Sequence, residues 1–588
     1  LTGHVQLFAD LLPNLTLMGR TGLDYYTSDQ DEKRPFSAKR NPTGAYLIEN
    51  DYFKEQNSDF LLTYKPKETS SSDLSYSISA GGNQMDQQIK SVRNYTGALT
   101  LPGIYNLANA AAGSMLYAQN SQHKRINSLY ALGELSYKQS VFLNLTARND
   151  WSSTLPPQNN SYFYPSASIS VIASDLLGIK WNPLSYLKLR GNISQVGSDT
   201  DPYQLYNVIP FDTDWGSVKR ASLSFDQKNN LLKPEIATSY EGGADVSFFK
   251  ERLGLSFTWY KTNNKNQIIQ VPTTIASGAS TKLINAGNIQ NSGIELSLNA
   301  VPVKGKFTWK TDFNFSRNRN KVISLTPGIT NYLLGSTDGS NVEYLISEGT
   351  QMGDFYTRSW LKVPSGPYAG QPLLNSSGLL QQSTDFQKIG NYNPDFMLGV
   401  NNSFSYGPLS MSVLIDWRQG GSYYSYVVKS LIDDGFMDTT LPGRDAAHGG
   451  LTWTDASGTK RDDGMLMEGV IANGDGTYRK NNVIVAASDY YDSKYYKYYE
   501  NDTFSATYVK LKEVSLTYTF SKKMMKHLPF MSNLAFSVIG YNLYTWTAAN
   551  IGFDPETTMS LSTLRYQGVG HWTLPGTRSY GFKLSCNF

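Results

Sequence analysis

The chain has 588 residues, and its 52 Lys and Arg nearly balance its 49 Asp and Glu, so the formal net charge is +3. The basic residues are scattered, which gives no support to nucleic-acid binding. A single cysteine, Cys586, excludes a disulfide framework and a cysteine metal site. The 40 tyrosines and a mean hydropathy of -0.38 are typical of a tyrosine-rich β protein. No apolar run approaches the roughly 18 residues that a membrane helix needs.

The chain shows no internal division. We find no linker, charge run or composition break, so the sequence predicts one large cooperative unit instead of several soluble domains. It starts at Leu1 and is strand-like from the outset, without the charged, apolar and cleavage regions of a secretion signal. We therefore expect the natural beginning of the protein to lie outside this sequence.

Alternation of apolar and polar residues predicts strands along the whole chain. In the first half they cover residues 5–11, 15–21, 59–64, 74–80, 127–137, 140–148, 166–171 and 186–193. In the second half they cover 240–248, 252–260, 293–300, 307–315, 397–406, 410–416, 508–520, 534–543 and 579–588. Between them, segments such as 22–58 and 81–126 are predicted to be long loops, with a short helix near 107–118, and 418–506 is predicted to be irregular.

Short and long connections alternate along these strands, of which there are about seventeen. Outer-membrane barrels have short periplasmic turns and long extracellular loops, and a closed barrel is the only sheet that can cross a bilayer. A soluble sandwich or propeller also has many strands, but nothing in its physics sorts the connections by side. The sequence therefore predicts an all-β fold, a transmembrane antiparallel β-barrel.

The strand count predicts that part of this barrel lies outside the sequence. If the C-terminus is periplasmic, the last strand descends, and counting back, the first strand descends as well. An odd number of strands must then precede it. Bacterial single-chain barrels have an even total and large plugged transporters have 22, so residues 1–588 would supply about 17 of 22 strands, with about five missing.

The last ten residues form an amphipathic strand that ends in an aromatic residue. We expect its apolar face to contact lipid and Lys583 and Asn587 to face the lumen. The lipid-facing residues are predicted to be Tyr580, Phe582, Leu584, Cys586 and Phe588. The aromatic end is predicted to serve as an assembly signal.

Catalytic chemistry has little support in the sequence. The histidines His4, His123, His448, His527 and His571 lack metal-ligand spacing. Three segments resemble fragments of calcium loops but are better explained as Asx turns. They are Asp338-Gly339, Asp463-Gly464 and Asn473-Gly474-Asp475-Gly476. The carboxylates Asp554 and Glu556 have nothing that sets them at a catalytic separation. We predict no enzyme activity, no catalytic residue, no metal and no cofactor.

Aromatic residues in the long loops are the better candidates for a binding site. Their flat faces and polar rims suit stacking on sugars or packing against peptide side chains. The candidates are Tyr423, Tyr424, Tyr426, Trp453 and Trp572, with the tyrosine cluster 490–499. The alternative is that they form interface girdles or pack the loops.

Several segments, in order and spacing over nearly the whole chain, resemble the SusC-type, RagA-like TonB-dependent transporters. Arg148-Asn149-Asp150-Trp151-Ser152-Ser153 precedes Tyr164-Pro165-Ser166-Ala167-Ser168, and Leu187-Lys188-Leu189-Arg190 precedes Gln195-Val196-Gly197-Ser198 and Pro202-Tyr203. Further matches are Leu232-Lys233-Pro234-Glu235, Asn291-Ser292-Gly293-Ile294-Glu295-Leu296, Tyr541-Asn542-Leu543-Tyr544-Thr545-Trp546 and Phe553-Asp554-Pro555-Glu556.

The resemblance implies an active importer in the outer membrane of Bacteroidetes-type bacteria. In that family a plug fills a 22-stranded barrel, and a SusD-like surface lipoprotein covers it as a lid. The TonB, ExbB and ExbD system supplies energy through a TonB box before the plug. The substrates are oligosaccharides or oligopeptides. Residues 1–588 would be the barrel domain without plug or TonB box, and the resemblance leaves open a dimer of transporter and lipoprotein pairs.

A different function class fits the same strand pattern. A passive porin, or an assembly or adhesion barrel, would have no energy coupling. The upstream reading frame distinguishes the two, because only the importer needs a plug-sized domain with a TonB box. A soluble secreted β protein is a third class, which would be recovered without detergent.

Overall fold

The computed structural model describes residues 1–588 apart from 40, 68–72, 182, 327, 330, 338–340, 497, 527–529, 558–566, 572 and 588. Strands dominate the described residues, and the helices are short. None of those helices is long and apolar enough to cross a membrane. The chain divides into two compact units, Leu1–Lys180 with Tyr186–Gly243 and Lys261–Asn288, and Trp181–Ser185 with Ala244–Tyr260 and Ile289–Phe588.

The described residues form thirty-three strands, numbered in chain order. The first fifteen are β1 Thr2–Leu12, β2 Leu15–Ala38, β3 Asn41–Tyr64, β4 Leu74–Thr96, β5 Met115–Tyr137, β6 Val141–Ser152, β7 Ser161–Ile172, β8 Leu184–Ser198, β9 Phe211–Trp215, β10 Val218–Ala221, β11 Asp226–Gln227, β12 Glu235–Phe248, β13 Leu253–Pro272, β14 Thr281–Val303 and β15 Phe307–Ser324. The remaining strands are β16 Asn331–Thr337, β17 Val342–Ser347, β18 Asp354–Trp360, β19 Leu373–Leu374, β20 Gln382–Asn391, β21 Phe396–Tyr406, β22 Leu409–Gln419, β23 Ser422–Ser425, β24 Leu451–Thr454, β25 Lys460–Leu466, β26 Val470–Ala472, β27 Tyr478–Lys480, β28 Ile484–Ala486, β29 Thr503–Ser505, β30 Tyr508–Thr519, β31 Asn533–Thr547, β32 Val569–Gly570 and β33 Ser579–Asn587.

The helices are confined to connections between strands. The α-helices are α1 Ala173–Leu176, α2 Tyr426–Asp433 and α3 Ala487–Tyr491. A single π turn covers Asp492–Tyr496, and 3-10 turns cover Leu107–Asn109, Ile275–Ser277, Asp438–Thr440, Ala446–His448 and Tyr499–Asp502.

Eighteen strands belong to one large sheet, β1–β8, β11–β15, β21, β22, β30, β31 and β33. Seventeen of these correspond to the seventeen strands predicted from the alternation, which confirms the predicted antiparallel fold. The additional one, β11, has two residues and pairs in parallel with the start of β14. A strand of two residues is too short to show the alternation of apolar and polar residues from which strands are predicted.

In the first unit, β1 to β8 pair antiparallel with their sequence neighbours. The prediction of long loops over 22–58 and most of 81–126 is wrong. β2 and β3 instead stay paired from Leu15 and Tyr64 to Ala38 and Asn41. At about 3.3 Å per residue, such strands are far longer than an apolar band about 25 Å tall. Their outer parts lack the alternation by which strands are recognised, as in β3, where the four apolar residues 45–48 are consecutive.

The Ala-rich stretch predicted as a short helix near 107–118 is mostly not helical. Only Leu107–Asn109 forms a 3-10 turn, and β5 starts at Met115. The Asn106 side chain caps this turn by accepting a hydrogen bond from the amide of Ala108 at 2.8 Å. Alanine favours a helix only weakly, and pairing of β5 with β4 overrides that preference.

In the second unit, β15, β21, β22, β30, β31 and β33 follow one another as antiparallel neighbours. Apolar residues such as Leu516, Val538 and Phe582 are exposed on one face. On the other face, polar side chains such as Thr517 and Ser537 hydrogen-bond across strands at 2.8 Å. An apolar outer face with a polar inner face is the pattern expected of a membrane barrel.

Residues 418–506, predicted to be irregular, fold into small sheets and two helices. β23 pairs with β29 and β32, β24 with β25, and β26 with β19 and β27. A buried aromatic cluster holds these loops together: Val342, Tyr344, Phe355, Tyr392, Tyr424, Tyr499 and Val569. Its members are far apart in sequence, so the order of these loops depends on tertiary contacts.

Candidate functional site

A buried lysine anchors the last long loop to the inner face of the sheet. Lys510 in β30 is 1% exposed. Its Nζ lies 2.7 and 2.6 Å from the two carboxylate oxygens of Asp554 and 2.5 Å from Oε2 of Glu556. A buried ammonium needs such partners because desolvation without them is costly. The Phe553–Glu556 segment is therefore a structural clamp in this unit.

A second layer of charged groups extends this clamp. Lys512 Nζ donates to both oxygens of Glu556 at 2.7 Å. The hydroxyl of Tyr508 donates to Asp416 Oδ2 at 3.0 Å. Burial by itself raises the pKa of Glu556, but the hydrogen bonds from Lys510 and Lys512 outweigh it and hold that pKa below its ordinary value. Glu556 consequently keeps its negative charge down to acidic pH.

The predicted binding residues Tyr423 and Tyr424 lie inside the protein. Tyr424 is fully buried in the aromatic cluster, with its ring 5.9 Å from that of Tyr499. Tyr423 is 2% exposed and packs against Phe504 at 5.9 Å. Burial raises the pKa of the Tyr423 phenol well above its ordinary value. Both rings pack against other loop residues, and Tyr423 also lines a cavity.

Tyr426 opens α2 and belongs to a group of rings around a buried lysine. Its ring stacks on His571 at 4.6 Å. Lys429, one turn later, is 4% exposed, and its Nζ lies 4.4 Å from the ring centre of Tyr496 and 4.9 Å from that of Tyr499. Cation–π attraction of this kind is worth about 2 kcal/mol when desolvated. Two rings of the tyrosine cluster 490–499 thus lie against Lys429, a residue that the sequence pattern did not indicate.

Trp453 is half-buried in the β24–β25 hairpin. Its indole Nε1 donates to Asp463 Oδ1 at 3.0 Å, and the guanidinium of Arg461 lies 5.8 Å from its ring centre. The Arg461 hydrogen bond lowers the pKa of Asp463 to about 2. Trp572, the last predicted aromatic, lies outside the described residues.

In two of the segments that resemble calcium loops, the aspartate carboxylate is hydrogen-bonded to residues close to it in the sequence. Asp463 is hydrogen-bonded to Arg461 and Trp453, and Asp475 accepts from the amide and hydroxyl of Thr477 at 2.9 and 2.5 Å. Asp338-Gly339 lies outside the described residues. Among the residues that are described, no group of three His, Cys, Asp or Glu side chains is arranged to hold a metal ion.

Residues of the Arg148–Ser153 segment form hydrogen bonds to neighbouring strands in the first unit. Asp150 is 5% exposed and accepts from Arg148 Nε and from the hydroxyl of Tyr164, both at 2.7 Å. Arg148 Nη2 also donates to Ser128 Oγ at 2.8 Å. The role of these residues in the structure is to fasten neighbouring strands to each other.

Asp199, which follows β8, gathers a second group of donors in the same unit. It accepts from Lys124 Nζ at 2.6 Å and from the hydroxyls of Ser152 and Thr154 at 2.5 and 3.2 Å. The sequence patterns did not indicate a role for Asp199. Asp199 directly follows the motif residues Gly197-Ser198, which could have indicated it. The groups that donate to it, however, come from distant parts of the sequence.

The terminal strand β33 pairs with β31, with Phe582 opposite Val538 and Leu584 opposite Phe536. Tyr580, Phe582 and Leu584 are exposed on the same face as their partners, and the rings of Phe582 and Phe536 stack at 6.0 Å. Cys586 is half-buried. Phe588 lies outside the described residues.

A cavity of about 620 Å³ in the second unit follows the part of β31 that extends beyond its pairing with β33. β33 begins at Ser579 opposite Tyr541, so Asn542–Thr547 extend past its start. The described lining includes Tyr423, Tyr544, Trp546, Asp554 and Arg578. Because this cavity runs along a strand edge, its shape depends on whatever lies beside that edge, and we do not assign it to a ligand.

A model of the family described as TonB dependent receptor-like, beta-barrel matches residues 6–464. Among curated proteins, the chain is 26% identical over 384 residues to TonB-dependent receptor P3 of Formosa agariphila, covering 60% of this chain and 38% of that protein. It is 30% identical over 213 residues to TonB-dependent receptor SusC of Bacteroides thetaiotaomicron, covering 33% of this chain and 21% of that one.

The fold has a solved counterpart. The structure of the RagAB peptide transporter contains a chain that superposes with a TM-score of 0.76 at 16% identity, over 99% of this chain and 61% of that chain. At this level of identity the likeness shows the fold alone. The chain thus spans 38% of the length of the Formosa receptor and 61% of the solved chain.

Proposed function

Because this chain belongs to the TonB dependent receptor-like β-barrel family and is an outer-membrane protein, we propose that it is the barrel part of an active importer. The importer takes up oligosaccharides or oligopeptides that are too large for diffusion pores. The observation that carries the proposal is the family match over residues 6–464. The RagAB neighbour is a peptide transporter, which supports the peptide alternative.

Energy coupling is proposed to come from the TonB, ExbB and ExbD system. A plug domain and a TonB box would belong to a portion of the protein outside residues 1–588, and about five strands of a 22-stranded barrel with them. Substrate captured above the barrel would enter the lumen when TonB displaces the plug. The folded loops of the second unit support this proposal, since an importer needs an ordered surface at which a ligand is held before transport.

A SusD-like surface lipoprotein is proposed to act as the lid. The loop between β8 and β12 exposes a dense set of large apolar side chains in the first unit, with Phe211 81% and Trp215 79% exposed. The others are Tyr203, Tyr206, Val208, Ile209, Val218, Leu223 and Phe225. Exposed apolar patches of this kind mark protein interaction sites, and the lid lipoprotein is the partner to which we assign this one.

The terminal strand is proposed to face lipid through Tyr580, Phe582, Leu584, Cys586 and Phe588. The exposure of the first three supports this orientation. Of the loop aromatics, Tyr423 keeps a proposed role in ligand binding, because it lines the cavity beside the end of β22.

The test is uptake by cells that carry the complete gene. Fluorescent oligosaccharides and oligopeptides are followed in cells with and without a functional TonB. An importer accumulates one class of ligand only when TonB works. Equal accumulation in both strains would contradict the proposal and indicate a passive porin.

Deleting residues 203–225 should abolish co-purification of the lipoprotein while the barrel still inserts. Retention of the lipoprotein would contradict the assigned docking loop.

A further inference from the structure

A smaller cavity of about 250 Å³ lies in the second unit, beside the end of β22. Its described lining includes Tyr392, Asn393, Arg418, Tyr423, Pro555 and Gln567. Pockets for whole ligands measure about 300 to 1,000 Å³, so this one suits a single residue or end group of a longer molecule.

Two hydrogen-bond donors on residues that line this cavity lack a partner within the described part of the chain. Nη2 of Arg418 donates to the carbonyl oxygen of Tyr392 at 2.5 Å, but its Nε has no acceptor. The hydroxyl of the buried Tyr423 has none either. An unsatisfied buried donor costs about 1 to 3 kcal/mol, so two of them beside one cavity require an explanation.

The nearby carboxylates do not satisfy the charge of Arg418. No ion pair to Arg418 within 4.0 Å is found among the described residues. Glu556 attracts Arg418 electrostatically but is hydrogen-bonded to Lys510 and Lys512. Asp416, two residues earlier in β22, accepts from Tyr508. Arg418 therefore lines the cavity as a buried cation whose neighbouring carboxylates are engaged elsewhere.

The backbone around Arg418 leaves little freedom for it to move. Gly421 has φ of +81°, and a Cβ at this position would lie 2.9 Å from Arg418 Nη2 and 3.0 Å from the carbonyl oxygen of Tyr392. Only glycine adopts this conformation readily at such a close approach. The bond from Nη2 to Tyr392 fixes the guanidinium plane as well. A rigid donor group binds its acceptor with less loss of entropy.

We propose that Arg418 and Tyr423 bind the carboxylate of an anionic oligomer. The guanidinium presents donors in a fixed fork that matches a carboxylate, and the phenol adds one further donor. The carboxylate can come from a uronate sugar or from an acidic peptide. This inference rests on the proposed function, since it names the charge of the imported molecule.

Calorimetric titration of the purified full-length protein tests the site directly. Two pairs of probes are used: a uronate trisaccharide with its carboxyl-reduced neutral form, and a tripeptide with a free carboxylate with its amidated form. In one pair, the acidic ligand should bind at least about tenfold more tightly than the neutral one. R418Q should abolish this preference, R418K should retain part of it, and Y423F should reduce it about threefold to tenfold.

Matched controls are R479Q, which removes an exposed arginine of β27, and Y406F, which removes an exposed tyrosine hydroxyl at the end of β21. Both should leave the preference unchanged. Heat-modifiable migration on gels verifies that each variant folds. The proposal is overturned if the wild-type protein binds acidic and neutral ligands equally in both pairs, as a cavity holding only water would, or if folded R418Q keeps the preference.

The importer proposal and the carboxylate-binding proposal can each be contradicted without the other. TonB-dependent uptake without a carboxylate preference would leave the importer in place and remove this binding site. A carboxylate preference in calorimetry, together with uptake that does not depend on TonB, would retain the binding site and remove the active importer.

Discussion

The ammonium group of Lys510 lies 2.6 Å from Oδ2 of Asp554, a residue 44 positions later in the chain. Lys510 belongs to β30 and Asp554 to the loop after β31, so this contact fastens a long loop to the inner face of the sheet. The same loop contributes Pro555 and Gln567 to the cavity beside Arg418. The clamp and the proposed binding site therefore share this loop, and a movement of the loop would change both.

Replacing Lys510 by Met should release this loop. The change leaves Asp554 without its buried counterion, while Glu556 keeps Lys512, at a cost of about 2 to 3 kcal/mol, less than for a fully buried pair because both carboxylates are partly exposed. Hydrogen exchange of residues 548–557 should become faster by one to two orders of magnitude, about tenfold per 1.4 kcal/mol. K512M, which removes a more exposed lysine, should have a smaller effect. Unchanged protection in K510M would show that the loop is held by other contacts.

The clamp should also weaken in acid. The pKa of Glu556 is lowered in the folded protein from an ordinary value of 4.5, so its contribution is present above about pH 4.5 and is lost as the pH falls through the lowered value. Limited proteolysis between pH 3 and pH 7 should show faster cleavage of the loop only at the acidic end. E556Q should flatten this dependence. An equally steep pH profile in E556Q would assign the titration to another group.

Asp150 should be required for the stability of the first unit. D150N removes the charge that accepts from Arg148 and Tyr164, each at 2.7 Å, and should lower the free energy of unfolding by about 2 to 3 kcal/mol. Y164F should cost about 1 kcal/mol, and the double variant less than the sum. As a control, E32Q breaks an exposed pair with Arg34 and should be nearly neutral. Additive effects in D150N and Y164F would mean that the two groups are not coupled.

Gly293 should not tolerate a side chain. A Cβ there would lie 2.6 Å from the hydroxyl of Tyr260 and would also press on the carbonyl oxygen of Arg317. G293A should cost about 1 to 3 kcal/mol through overpacking. G399A is the matched control in the same large sheet, because a Cβ at Gly399 meets no described atom within 4 Å. Equal unfolding midpoints in urea for the two variants would contradict this.

The motif segments of the sequence acquire physical roles from these contacts. Gly293 leaves room for Tyr260, and Asp150 accepts from two neighbouring groups. Asp554 neutralises Lys510. In each case the motif residue meets a partner that lies elsewhere in the chain, so the segments could indicate the family without showing what they do.

Alternation along the chain determined the seventeen long strands and their apolar faces, because a strand between lipid and lumen must change polarity at every residue. Alternation did not predict the strand segments that do not lie between lipid and lumen. The outer halves of β2 to β5 lack a regular alternation of apolar and polar residues, and their strand structure comes from backbone pairing with neighbours. The loops are ordered by contacts such as the hydrogen bond from Tyr344 to Gln567, 223 residues apart. Only the tertiary structure could decide that Tyr424 is buried in a core while Arg418 and Tyr423 line a cavity, since burial depends on which distant segments pack together.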